Sequence, residues 1–237
     1  MIRNTLWVLL IVIIPAASIA APAENFSQAK KQSTKLYQAK PETFYCGCQY
    51  AAKIKNNKNT KKLIPDWESC GYQPRKNKNR ASRIEWEHVM PAHHFGHQLQ
   101  CWQQGGRKAC KKDSQFNKME SDLHNLVPAI GEVNGDRSNF KFGMIEGEKR
   151  NYGACDIEID FKAKRAEPRE AIRGDIARIY FYMHKQYNLK MSAQQEKLFK
   201  AWAKQDPVDE WEQMKNNKVK AIQGNGNPFI DQDINNK

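Results

Sequence analysis

Glu87 and His88 set a carboxylate beside an imidazole. Hydrolysis of a phosphodiester needs a base that deprotonates water and a cation that offsets charge on the phosphate and the leaving oxygen. The pair offers a group for each of these roles. The carboxylate is a hard oxygen ligand for Mg²⁺, and the imidazole is a base that is neutral near physiological pH. Residues 83–89 alternate, with Ile84, Trp86 and His88 on one face and Glu85 and Glu87 on the other. A strand there would aim ligand and base in opposite directions. Alone, two adjoining residues are weak evidence, since a histidine satisfied inside a core is the commoner outcome. A second polar segment, residues 122–139, interleaves apolar anchors with Asn125, Glu132, Asn134 and Asp136. An asparagine carbonyl also suits Mg²⁺, which uses few protein ligands and keeps several waters. The plainer alternative makes Asn134-Gly135 a turn and Asn125 a cap.

Positive charge brackets this chemistry. Lys53, Lys55, Lys58, Lys61, Lys62, Arg75, Lys76, Lys78, Arg80 and Arg83 face only Asp66 and Glu68, and Arg107, Lys108, Lys111 and Lys112 follow. The whole chain of 237 residues carries a formal charge of +13. Such a surface binds polyanions through counterion release, independently of sequence and weakening steeply with salt. Arg75, Lys76, Lys78, Arg80, Arg83 and Lys108 are the expected nucleic-acid contacts. A solvated basic face is the bland alternative, and a membrane surface fits less well because no basic amphipathic helix is evident. At 40% apolar and 10% aromatic residues the chain is not of the disordered class.

The N-terminus reads as a secretory leader. Arg3 precedes an apolar run over residues 6–14, Pro15 breaks it, and Ser18 and Ala20 are small residues suited to cleavage after position 20. The run is too short to span about 30 Å of hydrocarbon at about 1.5 Å per residue. Removing it leaves residues 21–237 at +12 with six cysteines: Cys46, Cys48, Cys70, Cys101, Cys110 and Cys155. An even count in an exported chain indicates disulfides, with the pairing open and a Cys101–Cys110 loop around Gly105-Gly106 conceivable. A zinc site is the competing reading, from Cys46-Gly47-Cys48 or from His93, His97 and Cys101 at i, i+4, i+8.

The elements that must hold these groups are mixed. Residues 25–39 and 171–187 carry helical apolar stripes, the second despite Gly174, which costs about 1 kcal/mol against alanine. Ser192 and Gln195 make a capping box before Leu198, Phe199 and Trp202. Residues 155–161 alternate, placing Ile157, Ile159 and Phe161 opposite Asp156, Glu158 and Asp160. Trp86, Trp102 and Trp202 read as core. No linker or repeat divides the chain, so residues 21–237 form one α+β domain.

Several long segments of the sequence resemble a known family. RIEWEHVMPA (83–92), Phe95-Gly96-His97, CWQQGGR (101–107), residues 122–139, Phe44-Tyr45-Cys46-Gly47-Cys48 and Val208-Asp209-Glu210-Trp211-Glu212 are similar to endonuclease I, from about Phe26 to Phe229. These are periplasmic or secreted non-specific nucleases of Gram-negative bacteria, of the ββα-metal (His-Me finger) type. The resemblance implies that His88 is the general base, that Glu87 and Asn134 hold one Mg²⁺ for which other divalent ions substitute, and that Arg107 contacts the phosphate. It implies a disulfide-stabilised monomer that cuts double-stranded DNA, and RNA as well, to 5′-phosphate and 3′-hydroxyl ends. Glu87-His88 would lie on the strand side of the motif and Asn134 on its helix, with Glu85 behind the metal rather than on it. Close members carry two further cysteines towards the C-terminus, and this chain has none there. The alternative from another class is a cationic periplasmic DNA-binding protein without turnover. A zinc hydrolase using His93, His94 and His97 is the minor third.

Overall fold

A computed structural model describes residues 21–54, 61–147 and 149–231. The expected leader (1–20), Lys55, Lys58, the side chain of Lys61 and the tail past Asp231 lie outside the described residues. In chain order α1 (Phe26–Leu36) leads to a hairpin of β1 (Tyr50–Ile54) and β2 (Lys61–Pro65), then to α2 (Lys78–Ala81) and β3 (Ile84–His88). Four short helices follow: α3 (Ala92–Gly96), α4 (Gln100–Gln103), α5 (Gly106–Cys110) and α6 (Ser114–Glu120). The chain then forms β4 (Leu126–Ile130), α7 (Gly131–Arg137), β5 (Lys141–Phe142), β6 (Ile157–Asp160) and β7 (Arg165–Pro168). It ends in α8 (Arg173–Tyr187), α9 (Ala193–Gln205), α10 (Glu210–Gln223) and α11 (Pro228–Asp231).

The expected single α+β architecture is what forms. β3 pairs antiparallel with β4, Glu87 opposite Val127 and His88 opposite Leu126, and β4 passes directly into α7. Two strands and a helix therefore carry all of Glu87, His88 and Asn134. Asn125 is neither exposed nor a simple cap: its side chain accepts from Met90 N–H and donates to Met90 C=O, extending the strand pairing past His88. Asn134-Gly135 is no turn but the middle of α7. The remaining sheets are the β1–β2 hairpin and a mixed trio in the order β5–β7–β6.

Packing behind the motif comes from the C-terminal helices. Ile176, Tyr180 and Met183 of α8 and Phe199 and Trp202 of α9 are buried in one core with Phe95, Phe116, Val133 and Phe142. Gly174 is required where these helices meet, because a Cβ there would lie 1.9 Å from the Asp206 carbonyl. The expected capping box at Ser192 is half made: Ser192 Oγ accepts from Gln195 N–H, but the Gln195 side chain turns to the Phe142 carbonyl. A complete box sits instead on α10, between Asp209 and Glu212.

The alternation read into residues 155–161 fails in detail. Ile157 and Ile159 are buried as expected, but so is Glu158, while Phe161 falls in the turn after β6 and is 44% exposed. A short strand covered on both faces does not obey the period of two. Trp202 is core, whereas Trp86 and Trp102 are half-buried.

All six cysteines are paired, as Cys46–Cys155, Cys48–Cys70 and Cys101–Cys110. This removes the zinc reading at Cys46-Gly47-Cys48 and at Cys101, since a disulfide sulfur is not a thiolate ligand. Among the described residues no group of three or more His, Cys, Asp or Glu converges on a metal position, and no helix is long and apolar enough to cross a membrane.

Candidate active site

β3 lies at the wall of an open cleft of about 580 Å³, lined among others by Phe26, Lys30, Arg80, Arg83, Glu85, Glu87, His88, Arg107 and Asn134. The four residues expected to do chemistry thus meet in one place, although 47 positions separate Glu87 from Asn134. The alternation of β3 holds. Glu85 and Glu87 turn towards α7, and His88 turns towards α1 and α6.

His88 is 6% exposed. Its Nε2 stands 2.8 Å from the carbonyl oxygen of Glu120. A carbonyl only accepts, so Nε2 carries the proton and Nδ1 keeps the lone pair. The ring is wedged between Phe26, 4.7 Å away centroid to centroid, and Phe95. Burial, assisted by the Arg107 and Arg137 charges, pushes its pKa down to about 4, against the pull of the Glu120 bond. The imidazole is neutral at working pH.

Glu87 is 5% exposed, and its Oε1 accepts from Tyr45 OH and Arg137 Nη1, both at 3.0 Å. Arg137 is fully buried and also donates to the His88 and Val89 carbonyls, so one guanidinium fixes both the carboxylate and the strand that bears it. Burial nevertheless raises Glu87 to about 7, with Arg137 and the Tyr45 bond only partly opposing. Asn134 donates its Nδ2 to Glu85 Oε2 at 3.1 Å. That bond fixes which end of the amide is oxygen and leaves Oδ1 without a protein donor among the described residues. Glu87 and Asn134 therefore present hard oxygens to the same cleft, the donor set that Mg²⁺ prefers.

Glu85 acts as a hub. It accepts from Arg80 Nε and Nη2, from Arg83 Nε and Nη2, and from Asn134. The hydrogen bonds from Arg80 and Arg83 keep its carboxyl below the usual range despite partial burial. Gly135 makes room for this, since a Cβ there would lie 1.9 Å from Arg80 Nη1. Glu132 steadies the loop leading to α2 by accepting from Tyr72 OH and from the N–H groups of Arg75, Lys76 and Asn77.

Arg107 sits on α5 inside the Cys101–Cys110 loop, and its side chain is 47% exposed. Its Nε donates to Glu120 Oε1 at 2.6 Å, and its terminal nitrogens have no protein acceptor among the described residues. Glu120 thus aims two groups at once, His88 through its carbonyl and Arg107 through its carboxylate. Phe26 closes the ring, lying against His88 and 5.6 Å below the Arg107 guanidinium.

The expected nucleic-acid contacts divide. Arg80 and Arg83 line the cleft. Arg75 is held in a bidentate pair with Asp136 and stacks on Phe161, while Lys76, Lys78 and Lys108 are exposed away from the cleft wall. His93 and His97 stack on each other at the surface, and His94 bonds the Asn139 carbonyl, so the three histidines do not converge on a metal. Reading the sequence missed Tyr45, Glu120, Arg137, Phe26 and Lys30. Tyr45 and Arg137 lie inside the segments that resemble the family, 44–48 and 122–139, but no role was attached to either.

Residues 23–234 match the family model described as Endonuclease I. The chain is 55% identical over 213 residues to a periplasmic deoxyribonuclease of Aeromonas hydrophila, covering 90% of this chain and 87% of the relative. An extracellular deoxyribonuclease of the same organism is 51% identical over 98% of each chain. Endonuclease-1 of Buchnera aphidicola is 53% identical over 87% of this chain and 80% of its own length.

Proposed function

The chain belongs to the endonuclease I family and is a nuclease, and on that premise we propose that it is a Mg²⁺-dependent, sequence-non-specific endonuclease acting on DNA, and on RNA as well, to leave 5′-phosphate and 3′-hydroxyl ends. It works outside the cytoplasm, in the periplasm or the medium: its relatives are named periplasmic and extracellular deoxyribonucleases. Three disulfides suit that compartment. Residues 21–237 are the mature, monomeric nuclease domain, released after Ala20.

The observation that carries the reading is the bond between His88 Nε2 and the Glu120 carbonyl, which leaves Nδ1 as a neutral base in a cleft shared with Glu87, Asn134 and Arg107. His88 Nδ1 takes a proton from water as it attacks phosphorus. Glu87 and Asn134 would hold one Mg²⁺, and when bound it would supply positive charge to offset that developing on the phosphate and the leaving 3′-oxygen. Arg107 presents its free terminal nitrogens to a non-bridging oxygen, held at its other end by Glu120. Arg137 and Tyr45 keep Glu87 aimed, and Glu85 keeps the Asn134 oxygen forward. Residues addressed in this way to the phosphate read no base edge, so cleavage without sequence preference is expected.

Cleavage of supercoiled plasmid by the mature protein, with Mg²⁺ or EDTA, tests this beside His88→Ala. Nicking is expected only with the metal, and the variant should lose about a hundredfold or more in rate while still binding DNA. Equal nicking by the variant would overturn the role of His88. Binding without nicking under any divalent metal would instead favour a capture protein without turnover.

A further inference from the structure

A second groove, also about 580 Å³, opens between α1 and the β1–β2 hairpin. It shares Lys30, Arg83, Ile84 and Trp86 with the catalytic cleft, so the two meet along β3. Its lining includes four cations, Lys30, Lys31, Lys62 and Arg83, and no Asp or Glu. Arg83 is committed to Glu85, but among the described residues Lys30, Lys31 and Lys62 form no ion pair. Trp86, only half-buried, lies at the junction and packs on Tyr37 with ring centroids 5.5 Å apart. The helix α1 serves this arrangement with two faces. Ala29, Ser33 and Leu36 enter the core, while Ser27, Lys30, Lys31 and Thr34 line the groove at helical spacing.

Unpaired cations around an accessible aromatic surface are how proteins hold a single nucleic-acid strand without reading its sequence. We propose that this groove holds the nucleotides of the cleaved strand that flank the scissile phosphate, with Trp86 as the surface against which a base or sugar packs and Lys30, Lys31 and Lys62 as phosphate contacts. The inference rests on the nuclease reading and extends it. The strand does not cross the cleft at one point but continues along α1, the first helix of the mature chain.

Binding without hydrolysis separates the groove from the nuclease reading. Mature protein in EDTA is titrated against a fluorescent single-stranded 12-mer by anisotropy, comparing wild type, Lys31→Glu/Lys62→Glu, and a control of equal net charge, Lys204→Glu/Lys218→Glu, on exposed positions of α9 and α10. The groove variant should weaken Kd by about tenfold or more, and its salt slope should fall by about 1.4 for two lost phosphate contacts on a single strand. The control should stay within about threefold of wild type. Unchanged affinity in the groove variant, or an equal loss in the control, overturns the proposal. Should the groove variant not fold, photocrosslinking of a 5-iodouracil 12-mer to wild type decides: adducts on the peptides holding Trp86 and α1 support the groove, and adducts confined to residues 105–112 sink it. Wild type that binds the 12-mer but leaves it intact with Mg²⁺ would count against the nuclease reading alone.

Discussion

Arg107 commits its Nε to Glu120, and on the proposed mechanism its terminal nitrogens are left for the substrate phosphate. A lysine has one nitrogen and no planar fork, so it would hold either the carboxylate or a phosphate oxygen in good geometry. Arg107→Lys is expected to lower kcat by about tenfold to a hundredfold, with KM for DNA changing much less, because the lost contact matters most as charge builds on the phosphate. Steady-state nicking kinetics measure this, and a variant at wild-type kcat would remove Arg107 from the chemistry. His88 shows the same economy. The base role proposed for it depends on a backbone carbonyl 32 positions away, which decides the tautomer.

On the scale of elements, α7 is the part whose sequence least resembles a helix. Two of its seven residues, Gly131 and Gly135, each cost about 1 kcal/mol against alanine, and packing must supply the difference. Their absent side chains are the reason the helix works here: a Cβ at Gly131 would meet the Arg80 carbonyl at 2.5 Å, and one at Gly135 would meet the Arg80 guanidinium. Gly135→Ala should push Arg80 off Glu85 and loosen the hold of Glu85 on Asn134. Apparent Mg²⁺ affinity, read from nicking against Mg²⁺ concentration, should fall by about tenfold, the scale of losing a group that orients a ligand. The unfolding midpoint should move only a few degrees, since alanine regains helix propensity. A wild-type Mg²⁺ response would show that the glycine serves packing alone.

For the whole molecule, buried titratable groups link stability to pH. Burial depresses His88 to about 4 and His94 to about 3, with nearby positive charge adding to both. Each contributes stability that is complete above the unfolded histidine value of 6.5 and is lost as pH falls towards the folded one. Glu87, raised to about 7 by burial, acts in the opposite sense: it favours the fold at low pH and loses that contribution as pH rises through 7. Other groups act on both sides, His124 and His184 with these histidines and Asp175, Asp206 and Glu212 with Glu87, so the contribution of one histidine to the slope of stability between pH 6.5 and 4.5 is read in the metal-free protein as a difference between variants. Each group supplies up to about 1.4 kcal/mol per pH unit. His94→Gln, at a position held by the Asn139 carbonyl and outside the residues that line the cleft, should reduce the slope by about that amount in urea titrations with EDTA. An unchanged slope would mean that His94 titrates normally in the fold.

What can be read without a structure is local. Alternation over β3 already separates Glu87 from His88, the cysteine count and leader already imply disulfides, and the apolar stripe already marks α8, because strand and helix periods are properties of neighbouring residues. Glu87 and His88 stood out by chemistry, resemblance added Arg107 and the roles of all four candidates, and folding brings them to one cleft. Long-range partnerships stayed out of reach. That Glu85 would engage Arg80 and Arg83, that Arg137 would be fully buried beneath Glu87, and that Cys46 would join Cys155 depend on which segments pack together. A charged side chain looks the same in sequence whether it is solvated or paired, and only tertiary contact assigns its partner. Arg75 bound to Asp136 and Lys30 facing an acid-free groove carry the same charge along the chain, and desolvation and distance give them different work.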